Sequence, residues 1–358
     1  MSSPHTLTPR EVRQLLHHIF HTNMHLALTG QARLSPCLWG PPGIGKTALV
    51  EALAQELDWP LIHIAPAQFE EMGDLIGMPA IEGTHTVLRP PAWIPQETGP
   101  GILLLDDFNR ADDRILRGLM PLWQRHELLS WRLPEKWQLV LTANPDQGDY
   151  SVTPLDDAMH NRLIHLHMRF DLDSWVAWAR AHHIDSRAIR FVRTWPTLVQ
   201  RPPTTPRSLV QFFQLAAKLP DWQQDEKMLY QLACACLDTH TADKLIQFVR
   251  MGIDQWPSPE VWFTQADSPA LHQILQKIDR PEWQLDALAG WLDEAWHWLH
   301  QQASRLSPVA IQRLAHLLTN PMLPQGLRQS FAIRLTQIDQ PNIQQVLALP
   351  EVAPLLLG

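Results

Sequence analysis

The run Gly40-Pro41-Pro42-Gly43-Ile44-Gly45-Lys46-Thr47 fits the pattern G-x-x-x-x-G-K-[S/T], which cradles the phosphates of a nucleoside triphosphate. Its glycines let backbone N–H groups close around phosphate oxygens. A helix starting at the end of the loop adds partial positive charge there. The apolar run Pro36-Cys37-Leu38-Trp39 reads as a strand leading in, and Ala48-Leu49-Val50-Glu51-Ala52-Leu53-Ala54 reads as a helix leading out. In this reading Lys46 reaches the β- and γ-phosphates and the Thr47 hydroxyl takes one position on Mg²⁺, with Ala48 completing the nucleotide contacts.

Hydrolysis needs a metal carboxylate at a strand end. Ile102-Leu103-Leu104-Leu105-Asp106-Asp107 reads as a buried aliphatic strand delivering two carboxylates to its C-terminal edge. Asp106 is the expected Mg²⁺ partner, through water, and Asp107 the group that polarises the attacking water. Leu139-Val140-Leu141-Thr142-Ala143-Asn144-Pro145 reads as a further strand ending in an amide. That amide can orient water against the γ-phosphate. Asp156-Asp157-Ala158-Met159-His160-Asn161-Arg162 ends in an arginine ahead of another apolar run. Its guanidinium can reach a neighbouring subunit's γ-phosphate. Thr205-Pro206-Arg207 opens a later helix and presents a second arginine.

The elements that must position these groups alternate. Apolar runs at Leu61–Ala65, Gly101–Leu105, Trp137–Ala143 and Leu163–His167 are separated by helical patterns, the signature of an α/β layer with a parallel sheet. From about Asp171 strands stop. Asp173–Trp195 reads as helix, Arg201-Pro202-Pro203-Thr204-Thr205-Pro206 breaks the chain, and Ser208–Leu219, Glu226–Leu237, Thr241–Gly252, Pro281–Gln302 and Pro308–Leu318 read as helices. The expected division is an α/β nucleotide domain over 1–170, which includes a short N-terminal helical segment. A helical lid over 171–220 and a helical C-terminal region over 221–358 follow.

Five functional elements in this order resemble the AAA+ ATPases, and more narrowly the MoxR family and its dynein-related relatives. The narrower likeness rests on Gly73-Asp74-Leu75-Ile76-Gly77-Met78-Pro79, on Asp106-Asp107-Phe108-Asn109-Arg110-Ala111, and on Leu119-Met120-Pro121-Leu122-Trp123. Leu133-Pro134, Thr142-Ala143-Asn144-Pro145 and Leu155–Arg162 add to it, so the resemblance runs from about Pro36 to Leu219. It implies a hexameric ring with ATP and Mg²⁺ between subunits. Lys46, Thr47, Asp106, Asp107 and Asn144 then act from one subunit and Arg162 from the next, while Arg207 and Arg110 are candidates for contacts across the same interface.

The resemblance also implies two inserts. Glu70–Pro95 matches the insertion in the second helix, and Glu127–Trp137 a hairpin with its turn around Pro134-Glu135. Trp93 and Trp131 suit either a grip on a partner chain or core packing. One residue departs from the family pattern: the second acidic position is normally glutamate and is Asp107 here. Its carboxylate is one methylene shorter, about 1.5 Å further from the water unless the backbone compensates.

The resemblance implies a chaperone-like remodelling or complex-maturation factor acting on a protein partner, often one with a von Willebrand factor A domain. The alternatives are a nucleic-acid-dependent motor and a slowly hydrolysing, nucleotide-gated assembly protein. A net charge of −8 and pI near 6.1 argue against a general nucleic-acid surface. No Asn-Lys-x-Asp motif specifies guanine. The start, Met1-Ser2-Ser3-Pro4-His5, lacks a signal pattern and no apolar run reaches spanning length, so a cytoplasmic protein is expected.

Cys37, Cys234 and Cys236 suit neither a disulfide framework nor a zinc site, and Cys234 and Cys236 read as core residues. His17, His21 and His25 share a helical face without a carboxylate at ligand spacing, so they do not read as a metal site. The tryptophans at Trp175/Trp178 and Trp291/Trp296/Trp298 read as packing residues.

Overall fold

Runs such as Gly101–Leu105 and Trp137–Ala143 are apolar almost throughout, as strands buried on both faces of a parallel sheet must be. The computed structural model describes residues 5–145, 152–200, 202–219, 221–265 and 282–356. Arg201 and Pro281, from the expected chain break and helix start, lie outside these residues, as do Met1–Pro4. The chain packs as two compact units, Met1–Trp175 and Val176–Gly358.

In the first unit the strands are β1 (Thr6–Leu7), β2 (Pro36–Trp39), β3 (Leu61–Ile64), β6 (Gly101–Leu105), β9 (Trp137–Ala143) and β10 (Ile164–Met168). They form one parallel sheet in the order β1-β10-β2-β9-β6-β3. The phosphate-loop strand β2 and the acidic strand β6 therefore both flank β9, which leads into Asn144. Alternation along each strand divides the core. Cys37, Leu103, Leu105, Leu139 and Leu141 face one layer with Leu116, Leu119 and Trp123 of α4 (Asp113–Arg125). Leu38, Ile102, Leu104 and Val140 face the other, with Leu16 of α1 (Pro9–Leu28) and Val50 of α2 (Lys46–Glu56). A Cβ at Gly101 would meet the Trp137 ring at 2.6–2.8 Å, so only glycine fits there.

The Glu70–Pro95 segment holds a short helix α3 (Gly73–Ile76) and an antiparallel hairpin of β4 (Met78–Glu82) and β5 (His85–Arg89). Gly77 needs its left-handed backbone (φ 80°), and a Cβ there would strike Arg89 O. A second hairpin pairs β7 (Glu127–Leu128) with β8 (Trp131–Arg132). Its turn is at Leu129-Ser130, not at Pro134-Glu135 as expected. Residues 134–137 instead make a separate turn into β9, closed by Trp137 N–H to Pro134 O at 3.0 Å. The Arg33 guanidinium fixes this turn by donating to the carbonyls of Leu133, Pro134, Glu135 and Trp137.

Packing takes both contested tryptophans. Trp131 is 8% exposed and donates to Leu75 O at 3.0 Å. Trp93 stacks on Phe69, meets Trp131 edge-on at 5.3 Å between ring centroids, and donates to Asp74 O. The exposed apolar side chains of the two hairpins are Met78 (68%), Ile81 (84%) and Leu129 (82%).

After α5 (Asp157–His160), all regular structure described from Asp171 onward is helical. The expected single helix over Asp173–Trp195 is two, α6 (Leu172–Ala181) and α7 (Ser186–Thr194). His183 in the left-handed region (φ 53°) and the Asp185 N-cap separate them. Then come α8 (Pro206–Ala216), α9 (Glu226–Cys236), α10 (Thr239–Arg250) and α11 (Pro259–Thr264). The last helices are α12 (Glu282–Gln302), α13 (Pro308–Thr319), α14 (Gln325–Leu335) and α15 (Pro341–Leu347). In the second unit Trp262, Phe263, Trp291, Leu314 and Phe331 share one apolar core, with Trp296 and Trp298 packed against it. Cys234 is exposed and Cys236 half-buried, correcting their reading as core residues: Cys234 sits on a face of α9 away from its buried Leu229 and Ala233, and Cys236, on their face, is the last residue of the helix. Among the described residues no helix is long and apolar enough to cross a membrane.

Candidate functional site

Register brings the site together. Trp39 pairs with Ala143 and Leu105 with Leu141, so one residue further on Gly40 lies level with Asn144, and Asp106 with Thr142. The loop starts pinned, with Gly40 N–H bonded to Ala143 O. Gly43 (φ 78°) and Gly45 (φ 100°) take left-handed conformations that other residues resist. The first bond of the α2 ladder runs from Leu49 N–H to Gly45 O. The N–H groups of Lys46, Thr47 and Ala48 are therefore left outside it, at the positive end of the helix.

Lys46 is 5% exposed. Its ammonium donates to Gly40 O (2.8 Å), Pro41 O (3.2 Å) and Asn144 Oδ1 (3.0 Å). A cation this deeply buried requires such partners. The other half of the Asn144 amide, Nδ2, is buried and makes no hydrogen bond among the described residues. An orphaned buried donor beside a lysine is a ready partner for an anionic oxygen.

Asp106 is tied on both oxygens. Oδ1 accepts from the hydroxyls of Thr47 (2.7 Å) and Thr142 (2.6 Å), and Oδ2 meets His63 Nε2 at 3.1 Å. The Thr142 hydroxyl accepts in turn from Asp107 N–H at 2.8 Å, so one side chain sets both acidic residues. The Thr47 hydroxyl and the Asp106 carboxylate are hard oxygen donors of the kind Mg²⁺ prefers, and they fit the expected ion.

Asp107 lies in the left-handed region (φ 45°, ψ 42°), and its carboxylate pairs with Arg110 Nε at 3.3 Å. Next to it Asn109, 2% exposed, clamps the end of β9. Its Nδ2 donates to Asn144 O (2.8 Å) and its Oδ1 accepts from Asn144 N–H (3.2 Å). Sequence reasoning missed His63, Thr142 and Asn109 as functional side chains. Thr142 and Asn109 did stand inside motifs noticed for other residues, and His63 interrupts an apolar run at a position facing α2.

The remaining arginines are elsewhere. Arg162, half-exposed in the turn after α5, donates to Gln124 Oε1 at 3.1 Å and to Ala158 O rather than to the loop. A tie to the loop strand runs through Trp39, whose indole donates to His165 Nδ1 (2.8 Å), while His165 Nε2 contacts His160 O (2.9 Å). In the second unit Arg207 is exposed in the first turn of α8, behind a Thr205/Ser208 capping box. Burial raises the Cys37 thiol well above its ordinary range, so it stays protonated beneath the loop despite Lys46.

Residues 35–163 match the family described as the AAA domain of the dynein-related subfamily. That segment is similar to AAA domains of this subfamily. The chain is 27% identical over 140 residues to midasin of Giardia intestinalis, covering 37% of this chain and 3% of midasin. It is 28% identical over 129 residues to the replication factor C large subunit of Ignicoccus hospitalis, covering 35% of this chain and 24% of that protein. The chain thus spans a small part of either relative. Among solved structures it is similar to a lysine-to-arginine variant of RuvB from Thermotoga maritima, at 16% identity and a TM-score of 0.39, covering 85% of this chain and 87% of that one. The parallel sheet sets the glycine-rich loop after β2, the acidic strand β6 and the amide strand β9 side by side, and an α-helical region follows it in the chain.

Proposed function

We propose that the protein binds and hydrolyses ATP as a MoxR-like AAA+ ATPase and uses the cycle to remodel or mature a protein partner in the cytoplasm. The observation that carries this reading is the convergence of Lys46, Thr47, Asp106 and Asn144 at one sheet edge, with Asn144 Nδ2 left as an unused donor. Lys46 exchanges carbonyl partners for phosphate oxygens. The N–H groups of Gly45 to Ala48 enclose the β-phosphate, and Pro41, Pro42 and Ile44 shape the loop around it. Asn144 Nδ2 donates toward the γ-phosphate or its attacking water, and Asp107 accepts that water's proton. Thr47 and Asp106 would hold Mg²⁺, which would supply charge neutralisation on the phosphates.

Arg162, with no bond to the loop of its own chain, suits a role toward a neighbouring subunit in a ring, a hexamer in this reading. Arg207 of the lid, taken as 171–220, serves the same interface, and 221–358 is a helical region for partner docking. A partner with a von Willebrand factor A domain is the class to test first.

One observation favours a second reading, a slow, nucleotide-gated assembly protein. The short Asp107 side chain is engaged by Arg110 rather than directed at the phosphate site. Turnover of the wild type, Asp107→Glu and Lys46→Ala, measured beside ATP-dependent assembly, separates the two. Wild-type turnover well above Lys46→Ala supports the remodelling ATPase. Turnover equal to Lys46→Ala, with ATP still driving assembly, refutes it.

A further inference from the structure

We infer that His63 is a positioning residue for the metal-binding carboxylate: it fixes Asp106 Oδ2 and leaves one acceptor direction there for the water shell of a divalent cation. The inference rests on the nucleotide-site reading above and concerns how that site holds its ion.

The placement follows from the sheet. β3 is the edge strand beside β6, with His63 level with Leu104 and Ile64 level with Leu105. Strand alternation sends Leu61 and His63 to the face shared by Leu104 and, two residues on, Asp106. The backbone holds this spacing where the ladder ends, since Asp106 N–H bonds Ile64 O at 2.8 Å. His63 Nε2 then reaches Asp106 Oδ2 at 3.1 Å, while its Nδ1 faces Glu51 of α2 at 3.8 Å. A carboxylate only accepts, so Nε2 carries the hydrogen.

Counting acceptor sites gives the consequence. An ionised carboxylate offers about two lone-pair directions on each oxygen. Thr47 and Thr142 occupy both on Oδ1, and His63 occupies one on Oδ2. One direction remains for a water of the cation. With three donors from three separate elements the carboxylate cannot rotate about its last bond. Without His63 the Oδ2 side is free, and the carboxylate must be ordered when the ion arrives. Asp106 is the more enclosed partner, with 19% of its side chain exposed against 38% for His63, so the imidazole closes the solvent side of the carboxylate.

The test measures metal dependence of binding rather than turnover. The dissociation constant of a fluorescent ADP analogue is titrated against Mg²⁺ and repeated in EDTA, and Mn²⁺ uptake by the ADP complex is followed by electron paramagnetic resonance. For His63→Ala the expected result is a rise of about ten-fold in the half-saturating Mg²⁺ and Mn²⁺ concentrations, the usual scale for a group that orients a metal ligand. Metal-free ADP affinity should stay within about two-fold, which also reports an intact fold. His63→Gln, whose amide N–H has similar reach, should recover most of the loss.

An unchanged metal dependence in His63→Ala, with Lys46→Ala still abolishing nucleotide binding, overturns the inference and leaves the nucleotide reading standing. Equal losses in His63→Ala and His63→Gln also overturn it, because the donor would then not matter. Failure of the wild type to bind the ADP analogue with Mg²⁺ overturns the nucleotide reading itself.

Discussion

Replacing Asn109 with alanine tests whether the amide clamp sets the site. The Asn109 side chain is buried and forms a reciprocal pair with the backbone of Asn144, at 2.8 Å and 3.2 Å. Alanine leaves the Asn144 N–H and C=O buried without those partners, each at about 1–3 kcal/mol, so the expected loss is roughly 2–4 kcal/mol. For a unit the size of Met1–Trp175 this lowers the melting temperature by roughly 5–15 °C. The Asn144 side chain loses its anchor, and a cost of about 1.4 kcal/mol in placing its amide slows hydrolysis ten-fold. ADP affinity should hold within about three-fold, because Lys46 keeps Gly40 and Pro41 as partners and the loop glycines are untouched. The assay pairs thermal unfolding, with and without ADP, with single-turnover ATP hydrolysis. Asn109→Asp, which keeps the acceptor but sets a carboxylate oxygen against Asn144 O in a buried site, should lose at least as much as alanine. A melting point within about 1 °C of wild type together with unchanged single-turnover hydrolysis refutes the clamp.

Arg110→Ala releases Asp107 from a half-exposed pair worth about 0.2–1 kcal/mol, so phosphate release should rise by no more than about five-fold. A fall of ten-fold or more in the assembled protein would instead assign Arg110 to the neighbouring site. Burial, aided by the Arg33 charge, lowers the His126 imidazole from 6.5 to about 3. Because the folded value is the depressed one, the stability His126 contributes is full above about pH 6.5 and is lost progressively from there toward pH 3. By pH 4.5 the cost is about 2–3 kcal/mol, and His126→Asn, which tolerates the left-handed backbone at φ 58°, should lose that much less than wild type in pH-resolved denaturant unfolding. Trp131→Ala should cost about 3–5 kcal/mol in the same assay, whereas exposed Leu129→Ala should stay within about 0.5 kcal/mol. Equal effects at these two positions would reject the packed role of Trp131.

The elements legible in the sequence were those whose signal is local. β2, β6 and β9 announce themselves because strands buried on both faces admit little but apolar residues, and the loop glycines meet a backbone requirement that few other residues satisfy. The two-residue β1 carries too little pattern to be seen, and it forms by adding to the edge of β10. The break between α6 and α7 was hidden because the apolar periodicity continues through it and no glycine or proline marks it; His183 takes the left-handed turn instead. For Trp93 and Trp131, composition could not decide between grip and core, since the outcome depends on Phe69, Leu75 and Asp74 arriving from another segment. His63 was illegible for the same reason. Its role comes from the β3–β6 register, across a separation of 43 residues.

The interlocking of these groups bears on where the site has freedom to change. Thr142 holds the Asp106 carboxylate and the Asp107 backbone through one hydroxyl, and Asn109 fixes the backbone of Asn144 two positions further along. The Asp106 carboxylate, the turn after it and the amide strand are therefore one bonded assembly, in which displacing one member breaks hydrogen bonds at the others. Two groups can change partner without breaking that assembly. One is the Asp107 carboxylate, 35% exposed and, among the described residues, held through its Arg110 pair, and the other is the Lys46 ammonium, which can give up its loop carbonyls Gly40 O and Pro41 O while keeping Asn144 Oδ1. In the proposed cycle the first responds to whatever engages Arg110, and the second to the arrival of phosphate. Regulation of turnover then needs no rearrangement of the sheet, only competition for Arg110, and this is why the size and sign of the Arg110→Ala effect distinguish a self-contained site from one completed by a neighbour.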